Sequence, residues 1–174
     1  MNADSVPERR LGGVQSLHRV TPVHSGPAPY PPGMPRVCTR RMLIHDIDAA
    51  GIAFTGRLVT IALEALETGL SDVGMDFAAM LREKKFGVPL VHIEADFKRP
   101  FRHGERVDID LWCIEIKEHS YTCRIDLLPA SGTMVAASLS FTAAVIEMAT
   151  FTSVPMPEHF RVALQRLAPP PLRA

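Results

Sequence analysis

TGRLVTIALEALETGLSDV, running from Thr55 to Val73, is the stretch whose periodicity decides the fold. Its apolar residues Leu58, Ile61, Ala62, Ala65, Leu66, Gly69 and Leu70 recur at intervals of three and four, which gathers them on one face of a helix. Thr55 is the expected cap, because a side-chain oxygen there can accept a bond from an orphan amide of the first turn. Asp76 to Lys84 reads as a short second helix after Gly74.

On either side of this helical block the period is two. Val37 to His45 suits a first strand. After Val88, the residues Val91, Ile93, Ala95 and Phe97 alternate with His92, Glu94, Asp96 and Lys98, and Pro100 ends the strand. Val107, Ile109 and Leu111 alternate with Asp108 and Asp110, and then Trp112, Ile114 and Ile116 continue on the opposite parity. Tyr121, Cys123, Ile125 and Leu127 form another alternating set, and Val135 to Val145 is the longest. Turn signals lie at Arg102 to Gly104, Lys117 to His119 and Ala130 to Gly132. The order is strand, long helix, then four strands expected to be joined by hairpins. That is an α+β fold, one long central helix wrapped by a curved antiparallel sheet of about five strands, the hotdog arrangement.

Composition narrows the function. The 174 residues suffice for one domain, and 19 Lys plus Arg balance 19 Asp plus Glu. Zero net charge gives no general attraction to nucleic acid or an anionic membrane. No apolar run is long enough to span a bilayer, and residues 1–36 lack the apolar core of a signal peptide, so the expected address is cytoplasmic. Cys38, Cys113 and Cys123 have no metal-ligand spacing and read as small hydrophobes, and no metal site is expected. Pro7, Pro22, Pro27, Pro29, Pro31, Pro32 and Pro35 make residues 1–36 read as a flexible tail. Pro169 to Pro171 give 168–174 the same reading, leaving 37–167 as the folded domain.

No Gly-x-Ser-x-Gly elbow, His-Glu-x-x-His or phosphate-cradling glycine loop occurs. The unusual stretch is His45-Asp46-Ile47-Asp48-Ala49-Ala50-Gly51-Ile52-Ala53-Phe54. It sets two carboxylates two apart after a strand, adds small residues that allow close backbone approach, and then starts a helix whose free amides are electropositive. Read by itself it is also compatible with a polar turn in which Asp46 and Asp48 serve as turn or capping residues.

These residues resemble the Asp-x-Asp-x-x-Gly-apolar signature of the 4-hydroxybenzoyl-CoA thioesterase family. Thr60 to Glu67, Pro89 to His92, and Ala95 to Pro100 with Gly104 resemble the segments that follow it, in the same order, over about Cys38 to Ala144. The spacing is most similar to the branch acting on 1,4-dihydroxy-2-naphthoyl-CoA, departing from it at Leu63, where that branch carries His. The resemblance implies hydrolysis of an aromatic or hydroxyaromatic acyl-CoA to free acid and CoA, with Asp48 as the catalytic carboxylate. It also implies Gly51 and the backbone near Thr55 as carbonyl-polarising and substrate-binding positions. It implies CoA phosphate contacts near Lys117, His119 and Ser120, where Glu118 interrupts the basic cluster and a solvated turn is the competing reading. No cofactor is required, CoA being part of the substrate. The expected partners are the acyl-CoA and further copies of the chain, as a homodimer or homotetramer. Glu64 and Glu67 read as a solvated helix face, although a second branch of such enzymes uses a helix glutamate. A hydratase would need a His on the long helix, which has none. A non-catalytic acyl-CoA-binding module would lack the carboxylate, and an aliphatic acyl group is the alternative substrate.

Overall fold

The computed structural model describes residues 36–130 and 132–169. The tails expected at 1–36 and 168–174 therefore lie almost entirely outside the described residues. Strand β1 (Arg36–Arg41) leads through a single 3-10 turn, Ile44–Asp46, and a tight loop into helix α1 (Thr55–Asp72). Helix α2 (Phe77–Glu83) follows. Then come β2 (Phe86–Gly87), β3 (Leu90–Phe97), β4 (Arg106–Ile116), β5 (Ser120–Pro129), β6 (Ala137–Ala144), β7 (Ile146–Glu147), β8 (Thr152–Ser153) and helix α3 (Glu158–Gln165).

The apolar face expected for α1 is the face that is buried: Leu58, Ile61, Ala62, Ala65, Leu66, Gly69 and Leu70 all point into the core. Each large side chain among them contributes about 2 kcal/mol by leaving water. The helix lies across β1, β4 and β5 of a five-stranded antiparallel sheet ordered β1-β4-β5-β6-β3. This is the hotdog arrangement, with a small second sheet, β2-β7-β8, at its side. Asp76 caps α2 by accepting from the Ala79 amide at 2.8 Å, and left-handed Lys84 closes it. No helix among the described residues is long and apolar enough to cross a membrane.

Four expectations need correction. Phe54, not Thr55, is the N-cap of α1, and no side chain caps the helix. The strands after α1 are not all joined by hairpins: only β4-β5-β6 is a meander, because β1 takes the other side of β4 and β3 must cross to the free edge of β6. The parity change in β4 falls later than the pattern suggests. Its cause is a bulge between Cys113 and Glu115, which swings Ile116 onto the core face opposite Tyr121. Trp112, before the bulge, is buried but stands apart from the core cluster. Finally, every residue of β3 is exposed: Val91 is 61% accessible and Ile93 46%. Ile93 and Ala95 do face the same way as Phe141 and Leu139 of β6, but α1 lies over β1, β4 and β5 and gives them no cover. Cys113 and Cys123 are buried as expected, whereas Cys38 is exposed.

Helix α3, which the period of the sequence does not announce, adds Phe160, Ala163 and Leu164 to the core. Beyond it, the Leu167 carbonyl accepts from the Cys113 amide at 2.9 Å, in the bulged part of β4.

Gly69 sets how closely α1 approaches the sheet. A methyl group there would run into the Leu111 side chain and come within 3.3 Å of Val37, and Leu111 is itself fully buried in the core. Gly69→Ala should therefore lose ~1–2 kcal/mol net, the overpacking cost exceeding the ~1 kcal/mol helix gain. A denaturant midpoint equal to or above that of the parent would contradict this packing.

Candidate active site

After β1 the chain is drawn inward at Met42, which is buried and whose amide bonds the Glu105 carbonyl at 2.8 Å. The segment 46–54 then folds back on itself as a miniature hairpin. The Phe54 amide reaches the Asp46 carbonyl at 2.9 Å, Ile47 pairs with Ala53, and the Asp48 amide reaches the Ile52 carbonyl at 2.9 Å. Its tip is a turn in which the Gly51 amide bonds the Asp48 carbonyl at 3.0 Å. Gly51 has φ of +76°, a conformation that a side chain disfavours, which is why glycine stands there. The returning strand is strapped to the link between β3 and β4 by Ala53 to Phe101, at 2.8 Å, and by the Ile52–Arg102 bridge.

The two aspartates of this loop have opposite fates. Asp48 is exposed at the tip; its Oδ1 accepts the Ala50 amide at 2.8 Å, and its other oxygen has no partner among the described residues. Asp46 is fully buried. Its Oδ1 accepts from Arg57 Nε at 2.7 Å, and its Oδ2 accepts from the Leu43 amide at 2.7 Å and from Arg40 at 2.8 Å. His45 Nε2 stands 3.4 Å away.

Burial by itself would push the Asp46 carboxyl up. The bonds from Arg57 and Leu43 and the charges of Arg40 and His45 outweigh it and hold the group below its ordinary value. The sign follows from linkage: a depressed folded value gives stability that is present above the unfolded pKa and is lost as the pH falls through the folded one.

Two residues absent from the sequence reading therefore belong to this site, Arg40 and Arg57. The only signal for Arg57 is its spacing of seven from Glu64, two turns along one helix face. Glu64 is not the merely solvated residue expected: it accepts from Arg57 at 3.1 Å and lies 3.7 Å from Arg40. Glu67 borders an apolar cavity of about 510 Å³ walled by Phe77, Met80, Phe86, Val88 and Met148.

Thr55 opens α1 immediately beyond the loop. The amides of Thr55 and Gly56 have no acceptor among the described residues, as expected of a helix start. The exposed Phe54 ring lies against Gly56, where a Cβ would come within 2.6 Å of it. Asp48, Gly51 and Thr55 are thus brought together by the loop.

Lys117, His119 and Ser120 are not brought to them within one chain. They occupy the β4–β5 turn, whereas the Asp48 loop adjoins Glu105 at the other end of β4, roughly 30 Å away along the strand. Lys117 pairs with Glu115 at 3.0 Å, and its carbonyl accepts from Arg161 of α3 at 3.2 Å. His119 stands 3.7 Å from Glu118, and Lys117 and Ser120 close the turn through a backbone bond of 2.8 Å.

Residues 42–164 match the model of the Thioesterase-like superfamily. A 1,4-dihydroxy-2-naphthoyl-CoA hydrolase of Rippkaea orientalis is 32% identical over 100 residues, covering 56% of this chain and 72% of that one. The crystal structure of a 1,4-dihydroxy-2-naphthoyl-CoA thioesterase from Synechocystis aligns with a TM-score of 0.70 at 23% identity, over 76% of this chain and 97% of that one. A solved gentisyl-coenzyme A thioesterase aligns with a TM-score of 0.63 at 28% identity, over 73% and 98% of the two chains. The match begins at the buried Met42, just after β1, takes in the whole aspartate loop, α1 and strands β3 to β6, and ends in α3; the chain belongs to the Thioesterase-like superfamily, with the hotdog fold.

Proposed function

We propose that this protein hydrolyses a hydroxyaromatic acyl-CoA thioester to the free acid and CoA, with Asp48 as the carboxylate that acts at the carbonyl. The observation that carries this reading is the state of Asp48. Its carboxylate is exposed at the loop tip, steadied on one oxygen and open on the other, on a hairpin whose returning side leads through Phe54 into the free amides that begin α1. The relatives named as 1,4-dihydroxy-2-naphthoyl-CoA hydrolase and gentisyl-coenzyme A thioesterase support the substrate class.

The chemistry needs little else. The open Asp48 oxygen either attacks the thioester carbon to give an acyl anhydride that water then cleaves, or takes a proton from the water that attacks. Either route develops negative charge on the carbonyl oxygen. A preorganised amide such as that of Thr55 stabilises this charge by about 3 kcal/mol. The CoA thiolate is a good leaving group and needs no strong acid.

The acting unit in this reading is a dimer joined along β3. That strand has one free edge and eight exposed residues, including Leu90, Val91, Ile93 and Phe97, an arrangement that invites pairing with a second copy. A two-fold axis across antiparallel β3 strands inverts one subunit relative to the other. The β4–β5 turn of the partner would then stand at the same end as Asp48. In this reading the partner subunit's Lys117, the partner subunit's His119 and the partner subunit's Ser120 supply the CoA contacts, the chain's own turn lying at the far end of β4. Two such dimers could pair further into a tetramer.

Asp48→Asn conserves size and should retain the fold and the binding of a non-hydrolysable acyl-CoA, while turnover falls at least ~100-fold. Thiol release from a hydroxyaromatic acyl-CoA is the measurement, and full activity in this variant would move the chemistry elsewhere. Ile93→Lys places a charge on a half-exposed edge residue and should convert the assembly to folded monomers with little turnover. A monomeric variant in the ultracentrifuge that hydrolyses as fast as the parent would refute a site shared between subunits.

A further inference from the structure

Four short bonds converge on Asp46, and each comes from a different part of the site. Arg40 belongs to β1, Leu43 to the approach to the 3-10 turn, Arg57 to the first turns of α1, and the Phe54 amide to the returning side of the loop. Their lengths run from 2.7 to 2.9 Å; the Phe54 amide meets the main-chain carbonyl of Asp46, the other three meet its carboxylate, and that carboxylate has no solvent contact. Glu64, two turns along α1 from Arg57, holds the same two guanidiniums from outside, Arg57 at 3.1 Å and Arg40 at 3.7 Å. Asp48, by contrast, is bonded among the described residues only within its own loop, to Ala50, Gly51 and Ile52.

We infer that Asp46, gripped by Arg57 and Arg40, is the positioning residue of this site: it fixes the span between the Asp48 carboxylate and the free amides at the start of α1. The inference rests on the reading of Asp48 given above and adds residues with no assigned role. The physical reason is one of leverage. The loop tip carries no tie of its own to α1; the ties are at its base, through the Phe54 amide and the Arg57 guanidinium, and both end on Asp46. A charge-assisted pair removed from water is stiff, because its attraction is little screened and any looser geometry leaves a buried charge uncompensated. A reacting group displaced by about 1 Å can lose on the order of 100-fold in rate without any loss of binding. Arg57 does not touch the reacting atoms in this account. It acts through Asp46 on the loop.

The test compares Arg57→Gln, Arg57→Lys and Asp46→Asn with Asp48→Asn in the full chain, using thiol release from a hydroxyaromatic acyl-CoA and equilibrium binding of its non-hydrolysable thioether. Arg57→Gln should lower kcat by about tenfold or more while KM and the thioether Kd stay within about threefold. Arg57→Lys, which keeps the charge but not the two-sided fork, should recover part of the loss. The acid limb of kcat in Arg57→Gln should move to higher pH. Asp46 would lose one of the cations facing it, keeping Arg40 from β1 and His45 from the 3-10 turn, with Glu64 as the nearby carboxylate on α1. Asp46→Asn leaves Arg57 and Arg40 only Glu64 as a counter-charge; should it fail to fold, the Arg57 pair decides the matter. A folded Arg57→Gln with unchanged kcat, or one whose kcat and binding fall together, overturns the positioning role while an inactive Asp48→Asn leaves the catalytic reading standing. Activity in Asp48→Asn overturns that reading itself, and this inference with it.

Discussion

The apolar stripe of α1 can leave water only by lying against a sheet, and the rest of the molecule is arranged around that contact. Leu58, Ile61, Leu66 and Leu70 need a surface long enough for an 18-residue helix, and strands β4 and β5, eleven and ten residues long, supply it. The sheet must curve to follow the helix, and the bulge between Cys113 and Glu115 is one place where it turns. Gly69 takes the closest approach, where Leu111 fills the space a side chain would need. Once α1 is seated, its first turn has a fixed place, and the loop that precedes it inherits that place.

That inheritance is what separates the two aspartates. Asp46 adjoins β1 and the helix start at once, so its carboxylate is enclosed and its charge has to be met by Arg57, the Leu43 amide and Arg40. Asp48, two residues later at a hairpin tip, escapes this enclosure, and one of its oxygens has no partner among the described residues. One carboxylate is tied into the structure, because an unpaired buried charge would be costly, and the other stays open to solvent because nothing buries it. Burial and ion pairing of Asp46 also make that contact acid-sensitive, since protonating the group would leave Arg57 and Arg40 only the more exposed Glu64 as a counter-charge.

The same geometry leaves β3 unfinished. A single helix covers β1, β4 and β5, and β3 lies at the sheet margin with Val91 and Ile93 open to solvent. An eight-residue edge of that character is a liability for a lone chain and a natural seam between two copies. In the dimer proposed above, the separation between the Asp48 loop and the β4–β5 turn would belong to the same picture, because a two-fold pairing along β3 would set opposite ends of the two sheets side by side.

Periodicity and motif spacing were enough to identify which residues of α1 face the core, the antiparallel α+β character, and the loop that carries the paired aspartates. Periodicity is a local property, so it survives being read without coordinates, and the buried face of α1 matches it residue for residue. The Asp-x-Asp-x-x-Gly pattern likewise carries its own turn, because glycine at φ of +76° and the Asp48 to Gly51 bond are short-range facts. Tertiary structure alone decided the order of the strands, since β3 reaches β6 only because β1 occupies the other side of β4. It alone decided that β3 is exposed, because alternation shows which residues share a face and not whether anything covers that face. Helix α3 escaped notice for a related reason: eight residues with three buried are too few to announce a period and are held by packing instead. The division of labour between Asp46 and Asp48, and the part taken by Arg40 and Arg57, could not be read from spacing, because burial and charge pairing are set by groups that only folding brings together.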